Sequence, residues 1–175
     1  MAAEQAGAAA ELEHAGALKV RQQKGEAVEE ELDPVVTVDV AAYLPQTYVA
    51  EPSQRLVLYR RLAGVRTPAD VEEARRELRD RFGALPAPAE QLLDVVGLRL
   101  AARALRLERL EVRAGRALLT FASSTGVRPE RLLAVLRAHP RRLRLVREFV
   151  VEAAIPRAPW RDTLAGVVAW LKELS

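Results

Sequence analysis

No cysteine occurs in the 175 residues, which removes a disulfide framework, a thiolate zinc site and a thiol nucleophile together. Glycine is sparse where a nucleotide site would need it. Neither GxxxxGKS/T nor GxGxxG is present, and only three lysines stand available to meet a phosphate. The two histidines lie far apart, His14 in an Ala/Glu-rich lead and His139 just before Pro140, so neither a Ser-His-Asp arrangement nor a histidine metal cluster has its parts. Ser123-Ser124-Thr125 lacks an elbow motif and a base, and reads as a polar bend. No apolar run is long enough for a transmembrane helix, and acids in MAAEQAGAAAELEHA stand where a secretory signal would be basic and then apolar. These absences describe a soluble cytoplasmic protein with no membrane contact, no cofactor or metal, and no catalytic residue of its own.

What is present is an apolar half of the chain, sufficient for one core and a tail. Charge divides the two. Residues 1–33 hold eight acids and three bases, whereas residues 34–175 hold sixteen acids and twenty-four bases. The tail closes on Glu29, Glu30, Glu31 and Asp33 and is too poor in apolar residues to build a core, so a frayed helix, a disordered lead or the end of a preceding module is expected. The basic body suits either solvated helix faces or contact with nucleic acid. Arg137, Arg141, Arg142, Arg144 and Arg147 carry the second reading, but little aromatic interleaving accompanies them.

Along the body, PVVTVDV from Pro34 predicts a strand. Ser53 is a candidate cap for a helix with Leu56, Tyr59, Leu62 and Ala63 on its buried side, ending near Gly64. Thr67-Pro68 opens a second helix with Val71, Ala74, Leu78 and Phe82 at helical spacing and Gly83 as its stop. Pro86 and Pro88 lead into a long helix through Leu92, Leu93, Val96 and Leu100. LERLEV and RALLTF, separated by a turn with Ala114-Gly115, predict a hairpin. A helix from Pro129 with Leu132, Leu133, Val135 and Leu136, a further hydrophobic strand in LRLVREFVV, and a terminal amphipathic helix from Trp160 to Leu174 complete the chain. The fold class is α+β, with helices packed on a small, mostly antiparallel sheet.

The second helix carries a charge pattern as well as an apolar stripe. Asp70, Glu73, Glu77 and Asp80 step by three, four and three residues and fall within an arc of about 80°. Four-residue spacing of Glu73 and Glu77 on a polar helix is far commoner as solvated charge than as a general acid and base. The ridge is therefore either an ordinary solvated face or a surface for a partner's arginines.

LPQTYVAEPSQRLVLYRRLAG, ELRDRFGALPAPAEQLL, and LRLAARALRLERLEV followed by RALLTF together resemble the C-terminal domain of bacterial transcription-repair coupling factors, over roughly residues 28–136. Several spaced motifs in register are more specific than any one alone. The resemblance implies a fragment without its motor. The parent proteins are similar to ATP-driven, helicase-type DNA translocases that displace stalled RNA polymerase and recruit excision repair, and their ATP and Mg sites lie outside this chain. The domain is then a regulatory clamp over residues 34–175. In the family it packs on the N-terminal module resembling UvrB and masks the surface that recruits UvrA. The family's contact acids in ELxDRFG fall on Glu77 and Asp80, with Glu73 and Asp70 on the same ridge. The alternative is a basic nucleic-acid-binding accessory module.

Overall fold

β-branched residues favour the extended backbone, and VVTV forms the first strand, β1 (Val35–Val38). The computed structural model describes residues 32–155 together with 166, 167 and 169. Three helices follow: α1 (Pro52–Ala63), α2 (Pro68–Phe82) and α3 (Ala87–Ala104). Then come the hairpin β2 (Leu107–Arg113) and β3 (Arg116–Phe121), helix α4 (Pro129–Ala138), and strands β4 (Leu143–Arg147) and β5 (Val150–Ala154). The sheet order is β1-β2-β3-β5-β4. Only the β1–β2 pairing is parallel, and it needs the long connection that joins those strands. Among the described residues, four helices with a mostly antiparallel sheet make the fold α+β.

The chain forms two compact units. One contains Ala41–Gly97 and is helical; its buried residues include Leu44, Val49, Leu58, Leu62, Leu78, Leu92 and Leu93. The connection before α1 is pinned rather than loose. The Tyr59 hydroxyl accepts from the Leu44 amide at 2.8 Å, and Arg55 donates to the Val49 and Ala50 carbonyls at 2.7 and 2.9 Å.

The other unit contains Leu32–Val40 and the chain from Leu98. Its core gathers Leu98 and Ala102 from α3 with Leu110 and Val112 of β2, Leu119 and Phe121 of β3, and Val151 and Ala153 of β5. α4 adds Leu132, Val135 and Leu136, which stay partly exposed. Alternate residues along each strand point to opposite faces, so the opposite face of the sheet carries the intervening polar and charged residues. The β2–β3 turn is the expected one: Ala114 and Gly115 adopt φ of 48° and 76°, the paired left-handed conformation of a two-residue hairpin turn. A side chain at position 115 would also meet the Ile155 carbonyl at 3.2 Å.

Three local readings change. Helix α1 starts at Pro52, with Glu51 as its cap residue, because proline's fixed φ suits the first helical position; Ser53 donates to Glu51 Oε1 at 3.1 Å instead of capping. Its buried stripe centres on Leu58 and Leu62, leaving Leu56 exposed, and in α4 Leu133 is likewise exposed. LRLVREFVV is two strands rather than one. Glu148 and Phe149 turn the chain, with Phe149 at φ 58°, and the register slips between Leu145 and Arg147. The terminal segment from Trp160 to Leu174 lies outside the described residues, apart from 166, 167 and 169; Val167 is buried in the sheet's core. Residues 1–31 also lie outside them.

Candidate functional site

Helix α2 is fixed at both ends before its acids come into play. At the start, Thr67 Oγ1 accepts from the Asp70 amide at 3.2 Å, and Asp70 Oδ2 accepts from the Thr67 amide at 2.8 Å and the Arg66 amide at 3.1 Å. This reciprocal capping box satisfies donors that no helical carbonyl can reach. Those bonds, led by the one from the Thr67 backbone, hold the Asp70 carboxyl below its ordinary value.

At the other end, the Tyr48 hydroxyl lies 2.8 Å from the Leu78 carbonyl and 3.1 Å from the Gly83 carbonyl, and its single proton is shared between them. Burial raises the Tyr48 pKa, offset in part by the Arg79 charge. The Tyr48 and Phe82 rings meet with centroids 5.8 Å apart, and the Arg81 guanidinium sits 5.0 Å from the Phe82 ring centre. Gly83 leaves the helix at φ 86°, where a side chain is strained. Between the ends, Val71, Ala74 and Leu78 are buried.

The four ridge acids have separate fates. Asp70 is consumed by the capping box. Glu73 and Glu77 are brought together by Arg61 of α1, which lies 3.4 Å from Glu73 and also contacts Glu77. Glu77 additionally accepts from Arg81 at 2.8 Å, one turn on. Asp80 is exposed, and its side chain has no ion pair or hydrogen bond among the described residues. Its position in the last helical turn places an anion at the negative end of the dipole. On the opposite flank, Arg75 joins Glu72 at 3.3 Å and Asp94 of α3 at 3.2 Å, while Arg79 approaches Glu90 at 3.8 Å.

Arg61 is the residue that sequence reasoning missed. Its partners are twelve and sixteen positions away on another helix, beyond the reach of any helical spacing rule. The doubled arginine at the end of α1 was the available signal. Among the described residues, no group of His, Cys, Asp and Glu is arranged to hold a metal ion, and no helix is long and apolar enough to cross a membrane.

A helix with a locked frame, a neutralised middle and one free carboxylate at its exit defines an α+β module that presents charge at its surface. The pattern of the TRCF domain family matches residues 38–132, more than half of the sequence, and the chain belongs to that family. The transcription-repair-coupling factor of Escherichia coli K12 is 36% identical over 110 residues, covering 63% of this chain and 10% of that protein. That of Myxococcus xanthus is 29% identical over 157 residues, covering 89% and 13% respectively. The chain thus spans about a tenth of the length of these curated relatives. A crystal structure of the C-terminal domain of transcription-repair coupling factor shares the fold, with a TM-score of 0.69 at 17% identity over 81% of this chain and 91% of that one.

Proposed function

We propose that this chain is the regulatory, autoinhibitory interaction domain of a transcription-repair coupling factor. It packs on the UvrB-like N-terminal module of its parent protein and masks the surface that recruits UvrA. The parent couples displacement of stalled RNA polymerase from DNA to excision repair in the cytoplasm, using ATP and Mg in its own motor; this domain performs no catalysis and needs no cofactor.

The observation that carries the reading is Asp80. It is exposed on the helix matched by the family, and no described side chain answers its charge. Glu77 contributes from beside it, partly neutralised by Arg61 and Arg81. A partner arginine that reached both would gain a new ion pair at Asp80 and would compete with existing ones at Glu77. A contact of that kind is worth about 1–3 kcal/mol when desolvated and less when exposed, a range suited to a latch that opens.

Asp80→Arg in the full-length parent tests this with the least disturbance of the domain itself. UvrA binding should strengthen by roughly fivefold or more, the low end of the same energy range. UvrA binding as weak as in the unmodified protein overturns the latch. Adding Glu77→Arg should extend the effect.

A further inference from the structure

We propose that the outer face of the five-stranded sheet binds the phosphate backbones of duplex nucleic acid. It is built from other residues than the α2 ridge, and its test does not depend on the ridge.

Directly paired residues share a face of a sheet, so the register sorts the arginines. Leu110, Leu119, Val151 and Ala153 point into the core, and their neighbours along each strand lie on the other face, where Val150 is nonetheless buried. One outward row runs Arg113, Arg116, Ala154 and Arg142, the last held by its carbonyl, which accepts from the Ala154 amide at 2.6 Å. The next runs Glu111, Leu118, Glu152 and Arg144, and the third Arg109, Thr120, Val150 and Arg147. From β2 to β4, six arginines thus share the face with two carboxylates, and on the β1 side Asp39 follows beside Arg113, its Oδ2 accepting from the Ala114 amide at 2.9 Å. Glu152 serves Arg144 at 2.9 Å and Arg116 at 3.6 Å, and Glu111 lies 3.8 Å from Arg109. Arg113, Arg142 and Arg147 are exposed and have no ion pair among the described residues.

The layout distinguishes among anions. Arg109 and Arg113 form one column on β2, and Arg142, Arg144 and Arg147 form another along the β4 edge. Three strand spacings separate the columns, about 14 Å. That is close to the roughly 12 Å width of a DNA major groove, so each column can meet one of the two backbones. An extended acidic peptide presents a single line of charge and needs only one column. No aromatic residue stands in the three rows, so the face offers charge rather than a stacking platform for single-stranded bases.

Fluorescence anisotropy of a 20-base-pair duplex, at about 50–200 mM salt, reads the proposal directly. For the 175-residue chain, log affinity should fall linearly with log salt, with a slope of about −3 to −5. Combining Arg113→Ser, Arg142→Ser and Arg147→Ser should make the slope shallower by about 2–3 and weaken binding at least about tenfold at the lowest salt. Arg60→Ser, Arg76→Ser and Arg128→Ser together change the net charge equally at residues outside the three rows, and should leave affinity within about twofold. No duplex binding at low salt overturns the proposal, as does an equal loss in the control variant. Poly-glutamate that displaces the duplex at equal charge concentration identifies an acidic protein partner instead and also overturns it. The salt slope and the competition need no variant, so they decide the question even if the triple substitution unfolds the chain.

Discussion

The acidic face of α2 and the arginine face of the sheet start from the same ingredient, a run of like charge on one side of an element. On α2, Asp70 is bound into the helix cap, and Glu73 and Glu77 share Arg61, so that Asp80 alone stands without a described counter-charge. On the sheet the balance is reversed: two carboxylates serve three arginines, and Arg113, Arg142 and Arg147 have no ion pair among the described residues. Charges counted along a sequence therefore overstate what a helix offers, because helical neighbours and capping donors consume them. A sheet face hides less, since cross-strand partners are set by register rather than by spacing along one chain.

The largest effect separates support from display. Leu78 is buried beneath the α2 ridge and Leu119 beneath the sheet face. Leu78→Ala and Leu119→Ala should each destabilise the fold by about 2–5 kcal/mol, through lost burial and the cavity left behind. Urea unfolding checks this. Asp80→Asn should instead be neutral or stabilise by a few tenths of a kcal/mol, because it removes an anion from a helix C-terminus. If Asp80→Asn destabilises as the leucine changes do, the carboxylate is structural and the contrast between frame and displayed charge collapses.

The next effect addresses the capping acid. Thr67→Ala removes one half of the box and should cost about 1 kcal/mol, measured from the same urea transitions. A loss near zero would mean that the Thr67 hydroxyl adds nothing to the cap and that the Asp70 carboxylate, through the Thr67 and Arg66 amides, holds the helix start alone. On the sheet side, Ala114 occupies a left-handed conformation that glycine adopts without strain. Ala114→Gly should therefore stabilise by up to about 1 kcal/mol. A loss would place the value of Ala114 in its side chain rather than in its turn conformation.

Sequence reached the frame of α2 almost completely: Thr67-Pro68, the stripe of Val71, Ala74 and Leu78, and Gly83 are local signals with local causes. The Ala114-Gly115 hairpin was legible for the same reason. The turn at Glu148 and Phe149 was not, since neither residue favours positive φ and tertiary pairing of β4 with β5 overrides the preference. Helical geometry put the four acids on one arc, but it could not supply Arg61, which reaches them from another helix. Nor could it sort Arg142, Arg144 and Arg147 onto one face, because that depends on a hairpin and a register slip invisible to periodicity.

The smallest effect compares how each surface holds its best-satisfied carboxylate. Asp70 is kept below its ordinary value chiefly by backbone amides, and Glu152 chiefly by its hydrogen bond from Arg144, with the Arg144 and Arg116 charges assisting. A carboxylate whose pKa is lowered by folding stabilises the fold above its unfolded value near 4, and that contribution fades as pH falls through the lower folded value. Both groups should thus make the chain less resistant to urea as pH drops below about 4.5. Asp70→Asn and Glu152→Gln should each flatten that decline. Salt separates them: added to about 1 M, it screens the exposed Arg144 and Arg116 charges that face Glu152 but leaves short bonds to backbone amides largely intact. The Glu152→Gln difference between pH 7 and pH 3 should shrink in high salt while the Asp70→Asn difference persists. Equal shrinkage in both would mean that Asp70 is held by surrounding charge, which would return it to the ridge as a second displayed acid beside Asp80.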